Sequence, residues 1–157
     1  MTIRLTFRPV VLIATLGSAA MLLGALAFQF IAGLAPCHLC YLQRYPHLAA
    51  VLIGLAALAT GRRWLAAFGA LAAGITAWIG FYHTGVERGI FEGPTTCTSA
   101  SPGALDADAL FNQIMNAPLT RCDEVAWSML GLSMASWNAV ISVFLMLIWL
   151  RALTLKA

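Results

Sequence analysis

Charged residues are scarce in this chain: only 10% of its 157 residues are Asp, Glu, Lys or Arg, whereas 61% are hydrophobic. That balance lies far outside the range of soluble globular domains. Four stretches contain no charged residue at all, and they span residues 9–43, 45–61, 64–83 and 125–150. Each is near or above the length of about 20 residues that crosses a bilayer as a helix, although the second is marginal. The scarcity of charge excludes a soluble enzyme and predicts a membrane protein with four spanning helices.

We therefore expect an all-α fold in which residues 1–157 form a single integral membrane domain, a four-transmembrane-helix bundle. The helices are predicted at about 10–32, 40–60, 64–82 and 133–150, and the loops on one side at about 33–39 and 83–132. Pro46 leaves open whether the second helix is kinked there or begins there. In the long loop, apolar residues recur at helical spacing between Leu105 and Met115, which predicts a short interfacial helix.

Acidic and basic residues are separated along the chain. All six acidic residues lie in the long connection between the third and fourth helices. Six of the nine basic residues lie before helix one, between helices two and three, or after helix four: Arg4, Arg8, Arg62, Arg63, Arg151 and Lys156. The positive-inside rule places those regions, and both termini, in the cytoplasm. The net charge of +3 is a topology signal, and nothing indicates binding to nucleic acid.

The four cysteines all fall in the loops predicted to face away from the cytoplasm. Cys37 and Cys40 form a C-x-x-C pair in the short loop, and Cys97 and Cys122 lie in the long one. An even number of cysteines in an oxidising compartment predicts two disulfides. A bridge that closes four residues constrains little of the unfolded chain, whereas C-x-x-C is the spacing of exchange-active thiols. The first pair is thus predicted to be redox-active, while structural bracing stays open for the second.

Other uses of cysteine fit the sequence less well. The four cysteines together with His38, His47 and His83 could compose a zinc site, but there is no second close pair of cysteines. A c-type haem attachment needs a histidine directly after the second cysteine, where Tyr41 stands. A cleavable signal peptide is disfavoured because the first apolar run is longer than the usual apolar region of such peptides. A redox role remains the best interpretation.

Arg44 lies one helical turn beyond Cys40. If this segment begins a helix, Cys37, Cys40 and Arg44 line one face, where the guanidinium and the helix N-terminus both favour a thiolate. A dithiol at a membrane surface can deliver two electrons to a lipid-soluble acceptor such as a quinone, and Arg44 could bind a quinone carbonyl. The alternatives are that Arg44 is a snorkelling interfacial arginine and that His83 is an interfacial anchor rather than a ligand contact.

Together these motifs resemble the DsbB-type quinone-dependent thiol oxidases of bacterial inner membranes. The resemblance covers essentially the whole chain. It is carried by Pro36-Cys37-x-x-Cys40-x-x-x-Arg44, by Tyr82-His83-Thr84, by the two loop cysteines, and by the run from Cys122-Asp123-Glu124 through Trp127 and Leu130-Gly131-Leu132 to Trp137.

The resemblance implies an electron relay. The pair Cys97 and Cys122 would take electrons from a reduced periplasmic thioredoxin-fold oxidase of the DsbA type, with Cys97 forming the mixed disulfide. Cys122 would then exchange with Cys37, and Cys40 would pass the electrons to ubiquinone, or to menaquinone. Such a chain is a membrane oxidoreductase that sustains protein disulfide formation.

Two further residues match family positions, because Arg44 corresponds to the arginine at the quinone and His83 to a histidine near it. The stretch between Tyr82 and Cys97 differs from the best-known members, which leaves open a specialised relative with a dedicated partner. A structural membrane protein whose disulfides brace its outer loops is the alternative of another class. A nearer alternative is a vitamin K epoxide reductase-like enzyme. That family places its C-x-x-C in its final helices, whereas here the pair precedes helix two.

Overall fold

The structure, a computed structural model that describes residues 6–94 and 120–155, is built mainly from helices. Within these residues, four helices are long and apolar enough to cross a membrane: α1 (Phe7–Phe30), α2 (His38–Thr60), α3 (Leu65–Glu87) and α4 (Met134–Leu153). A two-stranded antiparallel hairpin, β1 (Ser128–Met129) and β2 (Leu132–Ser133), precedes α4. The predicted fold class, a four-helix membrane bundle, is confirmed. The predicted interfacial helix, at 105–115, lies outside the described residues.

The helices form a ring in which α1 and α3 each contact α2 and α4. Consecutive helices run in opposite directions, so the C-x-x-C pair, the end of α3 and the start of α4 share one end of the bundle. The opposite end carries the basic residues Arg8, Arg62, Arg63 and Arg151, and Arg63 there donates a hydrogen bond to the Leu155 carbonyl at 3.3 Å. Among the described residues, the cysteines and these four arginines therefore lie at opposite ends of the bundle.

The third helix is longer than the sequence predicts, because it continues past Gly85 to Glu87. Gly85 stays helical since the Phe91 ring packs directly on it, where a Cβ would collide with that ring. The helix ends in a Schellman motif: Gly89 has φ +66°, its N–H binds the Val86 carbonyl at 3.0 Å, and the Ile90 N–H binds the Gly85 carbonyl at 2.8 Å. The last two turns of α3 therefore belong to the bundle and not to the loop.

The second helix begins at His38, with Cys37 as its N-cap, so Pro46 lies inside it. A proline at this position cannot donate to the carbonyl four residues earlier. The neighbouring Gln43 carbonyl accepts a hydrogen bond from the Thr76 hydroxyl of α3 at 3.1 Å. This contact supports the backbone beside the proline, as expected where helix-breaking residues occur inside membranes. The helix ends at Gly61, whose φ of +67° is the left-handed conformation typical of a glycine that ends a helix.

The hairpin before α4 was not predicted from the sequence. Leu130 and Gly131 form its turn with φ of +53° and +78°, the left-handed pair typical of a type I′ turn. Trp137 of α4 donates its indole N–H to the Met129 carbonyl at 3.1 Å, and the Ser133 side chain caps the first turn of α4. These bonds fix the end of the long loop against the helix that follows it.

Small residues on α3 allow close packing against α4. The Trp149 side chain of α4 is fully buried against Gly69, although a tryptophan near the end of a membrane helix is typically an interfacial anchor. Indole burial there is possible because Gly69 has no side chain. The surrounding core consists of small or branched residues from all four helices, including Phe7, Val11, Ala57, Ala70 and Leu145.

We expect Gly69→Ala to destabilise the bundle by about 1–3 kcal/mol, the usual cost of overpacking a filled core. An added Cβ would lie 2.5–2.6 Å from three atoms of the Trp149 ring, and the rigid indole cannot move aside within the core. Thermal unfolding in detergent measures the effect. Gly24→Ala is the matched control, because a Cβ on that α1 glycine meets no atom within 4 Å. Equal midpoints for both variants would contradict the packing argument.

Candidate functional site

The C-x-x-C pair occupies the first turn of α2. Cys37 is the N-cap, and its sulfur accepts the backbone N–H of Cys40 at 3.2 Å. The two sulfurs are 2.9 Å apart, with the Cys37 thiol donating to Cys40. The hydrogen bond to Cys40, together with burial, raises the pKa of Cys37, and these effects outweigh the backbone N–H of Cys40 at the helix N-terminus, which favours the thiolate as expected.

His83 lies inside α3 and is 3% exposed, so the anchoring alternative is wrong. Its Nδ1 is 2.9 Å from the Gln43 amide nitrogen, which also donates to the Leu39 carbonyl at 3.1 Å. That second bond fixes which end of the amide faces the ring, so Nδ1 accepts and Nε2 carries the hydrogen. Nε2 is 3.6 Å from the Cys37 sulfur. In this tautomer Nε2 is a donor that faces the Cys37 sulfur and cannot take a proton from it, and the His83 ring also hydrogen-bonds the Cys122 backbone.

Glu87 is a site residue that the sequence reasoning missed, because it was counted among the acids of the long loop. Its side chain is only 6% exposed, and its carboxylate lies 3.9 Å from His83 Nε2 and accepts a hydrogen bond from the Ser133 hydroxyl. With Cys37 and Cys40 it lines a small cavity of about 160 Å³. The four-residue spacing from His83 was the available signal, once α3 was known to continue this far. A buried carboxylate here can accept protons that the thiols release.

Arg44 is held by side-chain contacts to α1. Its guanidinium donates to the Gln29 side-chain oxygen at 2.6 Å and to the Ala25 carbonyl at 3.2 Å, and it lies 5.1 Å from the centre of the Tyr41 ring. A guanidinium has five N–H donors, more than these two bonds use. Arg44 thus presents a fixed positive charge and further donors to the space beside Cys40.

A cavity of about 410 Å³ lies between the helices at this end of the bundle. Its volume is within the range of small-molecule sites, and its wall is largely apolar with a few polar groups, as such sites usually are. The chain just before the hairpin closes one side of this cavity. There the Trp127 ring packs on the Phe28 ring of α1, with the ring centroids 5.0 Å apart. The polar side chains in its wall are those of Cys40, Gln43, Arg44, His47, His83 and Asn138.

The long loop brings a third cysteine to the pair. Cys122 is fully buried in a cluster with Cys37, Leu39 and Val86. Beside it, the Thr120 hydroxyl donates to the Pro36 carbonyl at 3.2 Å, which ties the loop to the start of α2. Cys97 lies outside the described residues.

Arg121 and Asp123, the residues on either side of Cys122, form an ion pair at the surface. Arg121 contacts both carboxylate oxygens of Asp123, at 3.0 and 2.6 Å, and this hydrogen bonding lowers the pKa of Asp123. Of the six predicted site residues, the structure gathers five around the start of α2: Cys37, Cys40, Arg44, His83 and Cys122.

The donor atoms of Cys37, Cys40 and His83 lie within 4.8 Å of one another, close enough to hold a soft metal ion. A closed structural zinc site takes four ligands. The His83 nitrogen on this side carries a hydrogen in the tautomer fixed by Gln43, and a ligand nitrogen must be free of it. The contacts present are those of a hydrogen-bonded dithiol.

Comparison with known proteins gives a consistent result. The family described as "Disulfide bond formation protein DsbB" matches residues 7–152. "Disulfide bond formation protein B 2" of Pseudomonas aeruginosa is 34% identical over 143 residues, covering 85% of this chain and 82% of the relative. The corresponding protein of Verminephrobacter eiseniae is 30% identical over 160 residues (94% and 86%), and an uncharacterized protein of Rickettsia prowazekii is 30% identical over 125 (76% and 72%). No solved structure gives a significant match.

Proposed function

The chain belongs to the DsbB family of disulfide bond formation proteins, and from this we propose that it oxidises a thioredoxin-fold partner and reduces a membrane quinone. Family membership gives the coarser role, a disulfide-generating oxidoreductase in a multi-pass membrane protein. The finer proposal concerns the electron donor, the acceptor and the residues between them. In the overall reaction, a partner dithiol and a quinone become a partner disulfide and a quinol, so two electrons and two protons are transferred.

The observation that carries the proposal is the position of the C-x-x-C pair between two features. On one side Cys40 lines the apolar cavity with Arg44, and on the other Cys37 packs against Cys122 of the long loop. The cavity fits a quinone, because its apolar wall suits the ring and Arg44 offers donors for an oxygen of that ring. A quinone bound there supplies the two-electron acceptor.

On the protein side, thiol–disulfide exchange joins the two cysteine pairs. The Cys122 thiolate attacks Cys37 of an oxidised Cys37–Cys40 pair, which forms the Cys37–Cys122 bond and releases Cys40 as a thiolate. Cys97, as the partner-facing sulfur, would form the mixed disulfide with the donor. Because Cys40 is the member of the pair in the cavity wall, it is the natural donor of electrons to the acceptor.

Neighbouring side chains assist this exchange. The Nε2–H of His83 points toward Cys37 and stabilises negative charge on sulfur during attack and release. Glu87, in the small cavity shared with both thiols, would receive their protons and pass them outward. Arg44 would stabilise the negative charge that develops on the acceptor.

We further propose the bacterial inner membrane as the location, with both termini in the cytoplasm and the cysteines in the periplasm. Ubiquinone is the proposed acceptor, with menaquinone as the alternative, and a periplasmic DsbA-like oxidase is the proposed partner. The sequence between Tyr82 and Cys97 differs from that of the best-known family members, which also allows a specialised relative with a dedicated partner. A purely structural pair of disulfides does not account for the position of Cys40 in the wall of an apolar cavity.

Turnover with soluble components tests this proposal. Purified chain mixed with a reduced thioredoxin-fold partner and a short-chain quinone is expected to consume the quinone, which is followed by its absorbance. A partner that stays reduced while the quinone stays oxidised would contradict the proposed function.

We expect Arg44→Met to raise the KM for quinone at least about tenfold, equivalent to about 1.4 kcal/mol of lost binding. The thioether keeps the bulk of the side chain but removes the charge and its donors. Exchange between the cysteine pairs should continue, because Arg44 makes no hydrogen bond to either sulfur among the described residues. Arg151→Met, at the opposite end of α4, is the control. Unchanged quinone kinetics in Arg44→Met would contradict a role for Arg44 in quinone binding. Its function would then be limited to its structural contacts with α1.

A further inference from the structure

A chain of three hydroxyl groups joins Glu87 to the backbone of α3. The Ser133 hydroxyl contacts the Glu87 carboxylate, and its oxygen is 3.0 Å from the Ser136 hydroxyl. The Ser136 hydroxyl is in turn 3.1 Å from the Thr84 hydroxyl, which lies 2.9 Å from the Gly80 carbonyl. Both serines are buried. This hydroxyl chain therefore runs through the contact between α3 and α4 and ends on a backbone acceptor.

The number of available hydrogens gives the hydroxyl chain two ordered directions. Its groups make four contacts, but the three hydroxyls supply only three hydrogens. With Glu87 ionised, every hydroxyl donates toward the carboxylate, and the contact to the Gly80 carbonyl has no hydroxyl hydrogen. With Glu87 protonated, a fourth hydrogen is present, every group donates the other way, and all four contacts are satisfied. The reversal is possible because a hydroxyl both donates and accepts.

This arrangement suits a carboxyl group that must change its protonation state. A backbone N–H or a guanidinium only donates, so such a group favours the carboxylate alone. The reversible hydroxyls pair with Glu87 in either state, and the Gly80 carbonyl at their far end favours the protonated one. Because that end is a backbone carbonyl, no proton leaves by this path. A proton on Glu87 stays there until it departs through the small cavity.

The other polar neighbours of Glu87 belong to the site. His83 Nε2 is 3.9 Å from its carboxylate, and the positive charge of the adjacent Arg88 also acts on it. Two thiols of α2 and two charged side chains of the long loop line the same small cavity: Cys37, Cys40, Arg121 and Glu124. The start of α4 has no charged side chain and contributes only hydroxyls. A neutral Glu87 beside a newly formed thiolate avoids the repulsion of two neighbouring anions.

We propose that Ser133, Ser136 and Thr84 form a reversible hydroxyl chain that holds Glu87 in its protonated form between thiol exchange and release of the proton. The inference rests on the proposed function, since the proton comes from the exchanging thiols. In this step an S–H bond breaks, an O–H bond forms on Glu87, and the charge of the site is conserved as thiolate replaces carboxylate. The three hydroxyls act through Glu87, so they belong to positioning residues.

Infrared spectroscopy of the carboxyl group tests this proposal. A carboxylic acid has a C=O stretch that a carboxylate lacks, and the part of this absorbance that is lost in Glu87→Gln belongs to Glu87. The signal is followed against pH in fully reduced protein, without partner or quinone. No turnover takes place, so the readout is independent of the electron path.

For Ser136→Ala we expect the pH midpoint of Glu87 protonation to fall, with the acid about fivefold to tenfold stronger, the factor of one net hydrogen bond. Ser133 can still donate to the carboxylate in this variant, but beside the protonated carboxyl its own hydrogen has no acceptor. Ser142→Ala is the matched control, because that buried hydroxyl of α4 lies 3.4 Å from His47 Nε2, outside the hydroxyl chain. An unchanged or raised midpoint in Ser136→Ala, or an equal fall in Ser142→Ala, would overturn the proposal.

Two variants of Thr84 separate the hydroxyl from the packing of the side chain. Thr84→Val keeps the shape but removes the hydroxyl, so the midpoint should again fall. Thr84→Ser keeps the hydroxyl and should retain the wild-type midpoint. This pair also decides the question should Ser136→Ala not fold. Equal midpoints for Thr84→Val and Thr84→Ser would be incompatible with the hydroxyl chain.

This inference and the proposed function can fail separately. Protein that turns over partner and quinone, but shows one Glu87 midpoint in all variants, would refute the hydroxyl chain alone. Protein without any turnover, but with the expected shifts in midpoint, would refute the electron donor and acceptor, because the hydroxyls would still stabilise protonated Glu87.

Discussion

Cys40→Ser is expected to abolish quinone reduction while leaving the bundle folded. Serine is close to cysteine in size and keeps the first turn of α2, but its oxygen cannot exchange with a disulfide or release an electron pair as a thiolate does. Cys40 is the cysteine of the pair whose side chain lines the large cavity, so no other described thiol occupies its place. Loss of this one sulfur removes the connection between the cysteines and the acceptor.

The stoichiometry of partner oxidation measures this effect. In Cys40→Ser, an oxidised loop pair still accepts electrons from the reduced partner, so each chain should oxidise a single equivalent and then stop. Quinone absorbance should stay constant throughout. Continued oxidation of the partner with loss of quinone would show that the electrons leave by another route.

Cys122→Ser is expected to block the same reaction from the other side. The Cys37–Cys40 dithiol remains beside the cavity, so prereduced variant should still reduce a single equivalent of quinone per chain. Turnover with the reduced partner should fall to background, because Cys122 is the loop sulfur packed against Cys37. The two serine variants therefore have opposite phenotypes in the two half-reactions, a pattern that general misfolding does not produce.

A loop variant that keeps the thiol is the control for Cys122→Ser. Thr120→Val removes the hydrogen bond to the Pro36 carbonyl and leaves Cys122 intact. We expect it to retain turnover with the partner, at a lower rate if the loop is loosened. Complete loss in Thr120→Val would instead indicate that placement of the loop, and not the sulfur of Cys122, limits the reaction.

Local sequence patterns predicted the parts of the site that lie close together along the chain. Cys37, Cys40 and Arg44 fall within two helical turns, so their common helix was readable from spacing alone. The end of α3 was not readable, because Gly85 looks like a helix breaker unless the packing of Phe91 is known. Glu87 was consequently assigned to the loop, and its place beside His83 became visible only in the bundle.

Contacts between distant segments account for the remaining differences. Arg44 binds the Gln29 side chain of α1, fifteen residues earlier, and His47 meets Asn138 of α4. No periodicity within one helix specifies which polar groups of its neighbours it will meet. The burial of Trp149 has the same origin, since the space it fills is made by Gly69 on another helix. Helix positions followed from composition, whereas the hydrogen-bond partners followed from packing.

The ratio of quinol formed to partner disulfide formed is the most direct test of the proposed electron path. The measurement mixes wild-type chain anaerobically with excess reduced partner and a short-chain quinone, and quantifies both products after many turnovers. The path through Cys122, Cys37 and Cys40 predicts equal amounts of the two products, because each disulfide delivers two electrons and each quinone accepts two. Partner disulfide that accumulates without quinol, or no multiple turnover at all, would contradict it.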